Sequence, residues 1–214
     1  PLVRKGILNL IKNLGKKIGN GLDELTLTTN GSQLERYAEF LKENGVNRVN
    51  VSVDHLDPNK FREITRWGNL DIVLAGIEKA KSVGIKVKIN TVALKDFNEK
   101  NIIEMIEWCS LNEYDMTLIE VMPMGDIGSE NRFNQYLPLS EVKERLSRKF
   151  NLINIPKNTG GPARYYEIEG KKIDLGFITP LTHNFCESCN RVRLTCTGIL
   201  YMCLGQDDNV DLKN

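Results

Sequence analysis

The sequence predicts an α/β fold in which parallel βα units, as in a βα barrel, precede a smaller, β-rich C-terminal lobe. Three observations predict it. Strand-like and helix-like patterns alternate between residues 23 and 122, as parallel βα units do. Within those strands polar and apolar residues alternate, where strands buried on both faces would read as continuous apolar runs. After Gly125 the pattern becomes one helix and several short strands joined by glycine-rich turns. The division expected is therefore 1–125 for the βα units and 126–214 for the C-terminal lobe.

Each element has its own warrant. Ile7, Leu8, Ile11 and Leu14 recur at helical spacing. Leu25–Thr28 is a strand closed by Asn30-Gly31. Ser32 and Glu35 stand at capping-box spacing before a helix that carries Leu34, Tyr37, Ala38 and Leu41 on one stripe and stops at Gly45. Strand Arg48–Val53 follows, then a helix with Leu70, Val73, Leu74 and Ile77 on one face, ending near Gly84. Strand Ile85–Val92, a helix with Ile102, Met105, Ile106 and Cys109, and strand Met116–Val121 complete the series. Cys109 sits on the apolar stripe, which makes it a core thiol. Ser140 opens a helix over Leu139–Phe150, and Leu152–Ile155, Tyr165–Ile168 and Ile173–Phe177 are short strands, with Gly170 turning a hairpin.

Side chains alternate between the two faces of a strand. Thr26, Thr28 and Asn30 share one parity, as do Asn50, Ser52 and Asp54, Lys86, Lys88 and Asn90, and Glu120 with Met122. The opposite parity holds Leu25, Leu27, Val51, Val53, Ile85, Val87, Ile89, Ile119 and Val121. The apolar sets meet the helices, and the polar sets line a shared interior. Closed βα barrels ordinarily pack that interior with branched aliphatics, so a polar lining points to a polar ligand. The competing account is a set of edge strands with one wet face. Chemistry in such folds gathers at the carboxyl ends of the strands, where Thr28, Ser52, Asn90 and Met122 fall.

The 214 residues, 41% hydrophobic and 27% charged, have the composition of a globular protein. The net charge of +1 favours no class of partner, and no apolar run reaches the roughly 20 residues that span a bilayer. Five cysteines in a chain this large do not form a secreted disulfide framework. Cys186 and Cys189 form a C-x-x-C pair, and Cys203 follows after a gap of thirteen residues. Two thiolates three positions apart are a local chelate. Two readings stay open on spacing: a structural zinc site completed by Cys196 or His183, and an iron–sulfur site with one open position. Arg191 and Arg193, directly beside the pair, favour a site that meets an anion. The chain starts at Pro1 and stops at Asn214 in mid-pattern, so we expect a fragment.

Read in order, Leu27-Thr28-Thr29-Asn30-Gly31, Val49 to Asp54, Lys88-Ile89-Asn90, Ile119 to Pro123, Gly161-Pro162-Ala163-Arg164 and the run Phe185–Thr195 with Cys203 resemble the GTP 3′,8-cyclases. These are radical S-adenosylmethionine enzymes of molybdenum cofactor biosynthesis, and the resemblance covers essentially the whole chain. It implies a partial, incomplete βα barrel of radical SAM type over 1–125, lacking its N-terminal cluster loop, and a C-terminal lobe over 126–214 carrying a 4Fe–4S cluster on Cys186, Cys189 and Cys203, whose open iron takes the guanine ring. Thr28, Lys88, Arg191, Val192 and Arg193 match GTP-contacting positions, and Ser52 and Met122 match positions contacting S-adenosylmethionine; no catalytic residue is assigned. In the complete enzyme a second 4Fe–4S cluster and S-adenosylmethionine generate a 5′-deoxyadenosyl radical that takes the 3′ hydrogen of GTP. The ribose radical then attacks C8 to give (8S)-3′,8-cyclo-7,8-dihydro-GTP. The implied partners are GTP, a low-potential flavodoxin- or ferredoxin-type electron donor and the downstream cyclic pyranopterin monophosphate synthase. A homodimer is typical of the family, the setting is cytoplasmic, and neither nucleic acid nor membrane is implied.

One departure matters. The N-terminal C-x3-C-x2-C loop of that family is not in this sequence, and Pro1 matches the proline of its Gly-Gly-Glu-Pro motif. The chain alone is thus expected to be inactive. The rivals are a zinc-stabilised binding module without catalysis and another radical SAM enzyme with an auxiliary cluster.

Overall fold

The structure, a computed structural model, describes residues 1–122, 134–157, 159–181, 191–202 and 208–213. It divides into two compact units, Pro1–Thr182 and His183–Asn214.

The first unit alternates α1 (Ile7–Gly15), β1 (Leu25–Thr29), α2 (Leu34–Glu43), β2 (Val46–Ser52), α3 (Pro58–Thr65), α4 (Leu70–Ser82), β3 (Lys86–Ala93), α5 (Ile102–Leu111) and β4 (Asp115–Glu120). Then come α6 (Leu139–Ser147), β5 (Leu152–Ile155), β6 (Arg164–Ile168) and β7 (Asp174–Ile178). All seven strands form one sheet of order β1-β2-β3-β4-β7-β6-β5. Strands β1 to β4 are parallel, as the sequence predicts, and β7 adds to β4 in parallel. Strands β6 and β5 complete the sheet as antiparallel neighbours.

That topology differs from the sequence expectation in one respect. The strands over 152–178 do not start a separate lobe after residue 125. The β7 backbone pairs Met116 with Leu175 and Leu118 with Phe177, which makes these strands part of the first sheet. Period-2 alternation identifies such strands, but it carries no information about which sheet edge they join.

Local chemistry explains the element ends. Asn44 closes α2 and Gly45 follows at φ 85°, the left-handed position where glycine costs least; Gly84 repeats this after α4 at φ 79°. The expected capping box does not form. Ser32 instead bonds Asn30 Oδ1 through both its amide (3.2 Å) and its hydroxyl (3.0 Å), which tightens the turn, and α2 starts from Gln33. Helix α3 has no counterpart in the sequence reading, although Asp57-Pro58 is an N-cap followed by proline at N1, and Asp57 Oδ1 accepts the Lys60 N–H at 2.9 Å. Helix α6 stops at Ser147 rather than Phe150, where tighter bonds three residues back take over: the Arg148 and Lys149 amides donate to the Arg145 and Leu146 carbonyls.

The core lies between one face of the sheet and the helices. Val49, Val51, Val53, Val87, Ile89, Met116, Leu118, Leu175 and Phe177 meet Leu34, Ala38, Leu41, Val73, Ile77, Met105, Ile106 and Cys109 there. Cys109 is fully buried, and burial pushes its thiol pKa up, so it stays a neutral core side chain as expected.

The second unit holds a three-stranded antiparallel sheet of β8 (Arg193–Leu194), β9 (Ile199–Tyr201) and β10 (Asn209–Asp211), in order β10-β9-β8. No described residue of this unit is fully buried. Among the described residues, no helix is long and apolar enough to cross a membrane.

Candidate functional site

The sheet face away from the core is polar in all four parallel strands, and in β1 to β3 by the residues that the parity argument expects. Register places Thr28 beside Asn50, Asn50 beside Lys88, and Lys88 beside Asp115, so one row crosses β1 to β4. The next row toward the carboxyl ends runs Ser52, Asn90, Thr117, Gly176 and Tyr165. Thr28 and Ser52 are exposed, and Asn50 Nδ2 donates to Thr28 Oγ1 at 3.2 Å. With strands about 4.8 Å apart, Thr28 and Lys88 stand roughly 10 Å from each other on this face.

Strand β4 runs against the expectation. Glu120 is in register with Ala93, on the helix side, together with Met116 and Leu118. Its carboxylate is buried there and accepts the Leu139 N–H at 3.0 Å and the Leu181 N–H at 3.2 Å. The polar-face residues of β4 are Asp115 and Thr117. Glu120 was placed by its polarity, yet it is a buried acceptor for the first amide of α6. Met122, assigned to the polar face through Glu120, lies two residues past the strand end and is half-buried. Strand geometry does not fix its direction, so its cofactor role rests on resemblance.

Lys88 is the centre of the face. It is 8% exposed, and its Nζ donates to Tyr165 Oη at 2.9 Å. The same phenol oxygen shares a 2.9 Å hydrogen bond with Thr159 Oγ1. Tyr165 reaches across from β6 because Gly176 leaves room: a Cβ at Gly176 would stand 3.0 Å from the Tyr165 ring and 3.0 Å from Thr117 Oγ1. Burial raises the Tyr165 pKa, but the hydrogen bonds from Lys88 and Thr159 and the charges of Lys88 and Lys157 outweigh it and leave the phenol below its usual value.

Two polar atoms beside Lys88 have no partner. Asn90 Oδ1 and Thr117 Oγ1 are buried and make no hydrogen bond. Buried polar atoms are nearly always paired, so these two stand out on the polar face. The carboxyl ends of β2 and β3 are held by Asn98, whose Nδ2 donates at 2.8 Å to both the Asp54 and Val92 carbonyls. Its Oδ1 accepts the Leu94 N–H, also at 2.8 Å.

In the second unit, Arg193 is in register with Tyr201, which is in turn opposite Asn209. Arg191 and Arg193 are half-buried and Val192 is exposed. The assigned ligands Cys186, Cys189 and Cys203, and His183, lie outside the described residues. Cys196 is an exposed free thiol at the β8–β9 turn.

Sequence reasoning missed Tyr165, Thr117, Lys157, Asp115 and Asn98. A signal for Thr117 existed: counting Asp115 and Thr117 as one polar parity places β4 correctly. Tyr165 carried none, since its strand was assigned to another lobe.

The comparisons with known proteins follow the same lines. Residues 1–109 match the family model of the Radical SAM superfamily, and residues 114–214 that of Molybdenum Cofactor Synthesis C. The chain is 60% identical over 213 residues to the GTP 3′,8-cyclase of Rhizobium etli (strain CIAT 652), covering 100% of this chain and 61% of that protein. It is 62% identical over 214 residues to that of Rhizobium meliloti (strain 1021), covering 100% and 61%. For Paracoccus denitrificans (strain Pd 1222) the identity is 56% over 213 residues, covering 100% and 62%. The chain thus spans about 61% of the length of the curated relatives it matches. Its fold is similar to that of Streptococcus suis SuiB, crystallised with S-adenosylmethionine, at a TM-score of 0.60 and 18% identity over 96% of this chain and 48% of that one.

Proposed function

The chain belongs to the radical SAM superfamily, and from that premise we propose that it is the substrate-binding part of a GTP 3′,8-cyclase in molybdenum cofactor biosynthesis. The observation that carries this reading is Lys88. A buried ammonium with one neutral acceptor, and no carboxylate in ion-pair contact among the described residues, is costly unless an anion completes it. A nucleotide triphosphate is such an anion, and the unpaired Asn90 and Thr117 oxygens beside Lys88 suit its polar groups. The relatives named GTP 3′,8-cyclases, matched over the whole of this chain, support GTP as that nucleotide.

In this reading Thr28 and Lys88 on the sheet, with Arg191, Val192 and Arg193 from the C-terminal part, bind GTP. Ser52 and Met122 contact S-adenosylmethionine. The seven-stranded sheet and helices of Pro1–Thr182 act as the partial barrel, and His183–Asn214 carries the auxiliary cluster. Cys186, Cys189 and Cys203 hold that cluster. Three thiolates suit a 4Fe–4S group, which usually takes four, and leave one iron for the guanine ring. S-adenosylmethionine with the second cluster supplies a carbon-centred radical chemistry for hydrogen abstraction from the ribose. The chain's own residues orient the nucleotide, balance its charge and keep water from the reacting carbon. A flavodoxin- or ferredoxin-type donor in the cytoplasm supplies electrons, and cyclic pyranopterin monophosphate synthase takes the product.

The test is to prepare the complete protein anaerobically and measure iron per chain and GTP affinity, with Cys186→Ala as control. About four irons belonging to the C-terminal site, lost in the variant together with GTP affinity, support the reading. Stoichiometric zinc at that site with no GTP binding makes it a structural zinc module instead.

A further inference from the structure

Lys88 and Asp115 stand in register on neighbouring parallel strands, side chains on the same face, yet they do not pair. At a strand spacing of about 4.8 Å an ammonium and a carboxylate so placed are within easy reach of each other. The Asp115 carboxylate is engaged elsewhere. Its Oδ2 accepts from Lys157 Nζ at 3.0 Å, and its Oδ1 accepts the Asp174 N–H at 3.0 Å. Lys157 also bonds the Asp174 carboxylate. Burial lowers the Lys157 pKa, but hydrogen bonds to Asp174 and Asp115 more than restore it, so this ammonium stays charged.

Tyr165 stands between the two lysines. Lys88 Nζ lies 5.6 Å and Lys157 Nζ 5.2 Å from its ring centroid. The phenol oxygen is a neutral acceptor, so it aims Lys88 without cancelling its charge. An ammonium has three donors, and one spent on Tyr165 leaves two for a ligand.

We propose that Lys157 and Tyr165 are positioning residues for Lys88: Lys157 keeps Asp115 and Asp174 from neutralising it, and Tyr165 aims it, so that its charge remains for a phosphate group of the nucleotide. This rests on the reading that Lys88 takes an anion. The arrangement explains why a lysine next to an aspartate is left with a neutral partner, while a second lysine holds both nearby aspartates. It also gives the 410 Å³ cleft at the amino ends of β3, β4 and β7, lined by Lys157, Asp115 and Asp174, a charge-sequestering role and no ligand of its own.

The experiment compares GTP dissociation constants in the complete, cluster-loaded protein. Lys157→Met is expected to weaken GTP binding about tenfold, the size of one partly buried charge interaction. Adding Asp115→Asn to that variant is expected to restore most of the affinity, because the released carboxylate is then gone. A purely structural role for Lys157 predicts no such rescue. Tyr165→Phe keeps the ring and removes the acceptor, and a loss of a few-fold is expected. Asp115→Asn alone leaves Lys157 in place and is expected to bind GTP as well as the parent or better. An unaltered Lys157→Met, or a loss that Asp115→Asn does not repair, overturns the inference. Lys88→Met separates the two levels: if it leaves GTP affinity unchanged the anion reading itself falls, whereas if it alone weakens binding only the roles of Lys157 and Tyr165 fall.

Discussion

Asp54, at the carboxyl end of β2, is a buried carboxyl whose pKa burial raises, against the Val92 N–H that bonds it at 2.8 Å and favours the charged form. The folded state therefore binds this proton more tightly than the unfolded chain does. The stability it contributes is complete below the unfolded value of about 3.9 and is lost as pH rises through the raised folded value. Asp54→Asn keeps an acceptor for Val92 and carries no charge. Urea unfolding between about pH 3.5 and 7 is expected to show this decline in the parent and not in the variant. Asn98 gives a second expectation at this scale. It is fully buried, and its three hydrogen bonds tie the ends of β2 and β3 together just above Ser52 and Asn90. Asn98→Ala leaves two carbonyls and an amide without partners and is expected to cost about 3 kcal/mol in denaturant unfolding. A loss below about 0.5 kcal/mol would show that water replaces those bonds.

Between elements, Glu120 does work that its sequence does not announce. Pro138 precedes α6 and offers no side-chain cap, so the first amide of the helix takes its acceptor from β4 through space. Glu120→Ala strands the Leu139 and Leu181 amides and is expected to lower stability by about 2–4 kcal/mol, with exchange of the α6 amides accelerated. Glu120→Gln keeps one acceptor oxygen and is expected to recover part of the loss. Unchanged α6 exchange in Glu120→Ala would remove this link between strand and helix. The same residue shows where sequence legibility ended. The strands, their parallel pairing, three polar faces and the caps at Gly45 and Gly84 were legible, because hydrophobic period and turn chemistry are local. Thr28, Ser52 and Lys88 were placed correctly on the polar face for that reason. The face of Glu120, the partners of Lys88 and the Tyr165 contact depend on residues far away in the chain, and no local period encodes them.

At the scale of the whole molecule the two units differ in how they are held. The first has a continuous apolar core beneath seven strands, whereas no described residue of the second is fully buried. The described residues of this three-stranded sheet bury no core, and in the proposed reading a cluster on Cys186, Cys189 and Cys203 would add to its stability. Removing iron by anaerobic chelation is expected to raise hydrogen exchange across 191–202 and 208–213 while β3 and β4 keep their protection. Equal loss of protection in both would mean that the cluster supports the entire protein. The order β4-β7 in the sheet has a consequence for synthesis. Chains are made at about 5–20 residues per second, so β4 waits roughly 3–11 s for β7 to be translated. For the first part of that interval, about 2–8 s after residue 115 is made, no Lys157 exists to hold Asp115, the aspartate in register with Lys88. If β3 and β4 pair before then, Lys88 and Asp115 are left to bond each other, and Lys157 draws the aspartate away only once it has been made.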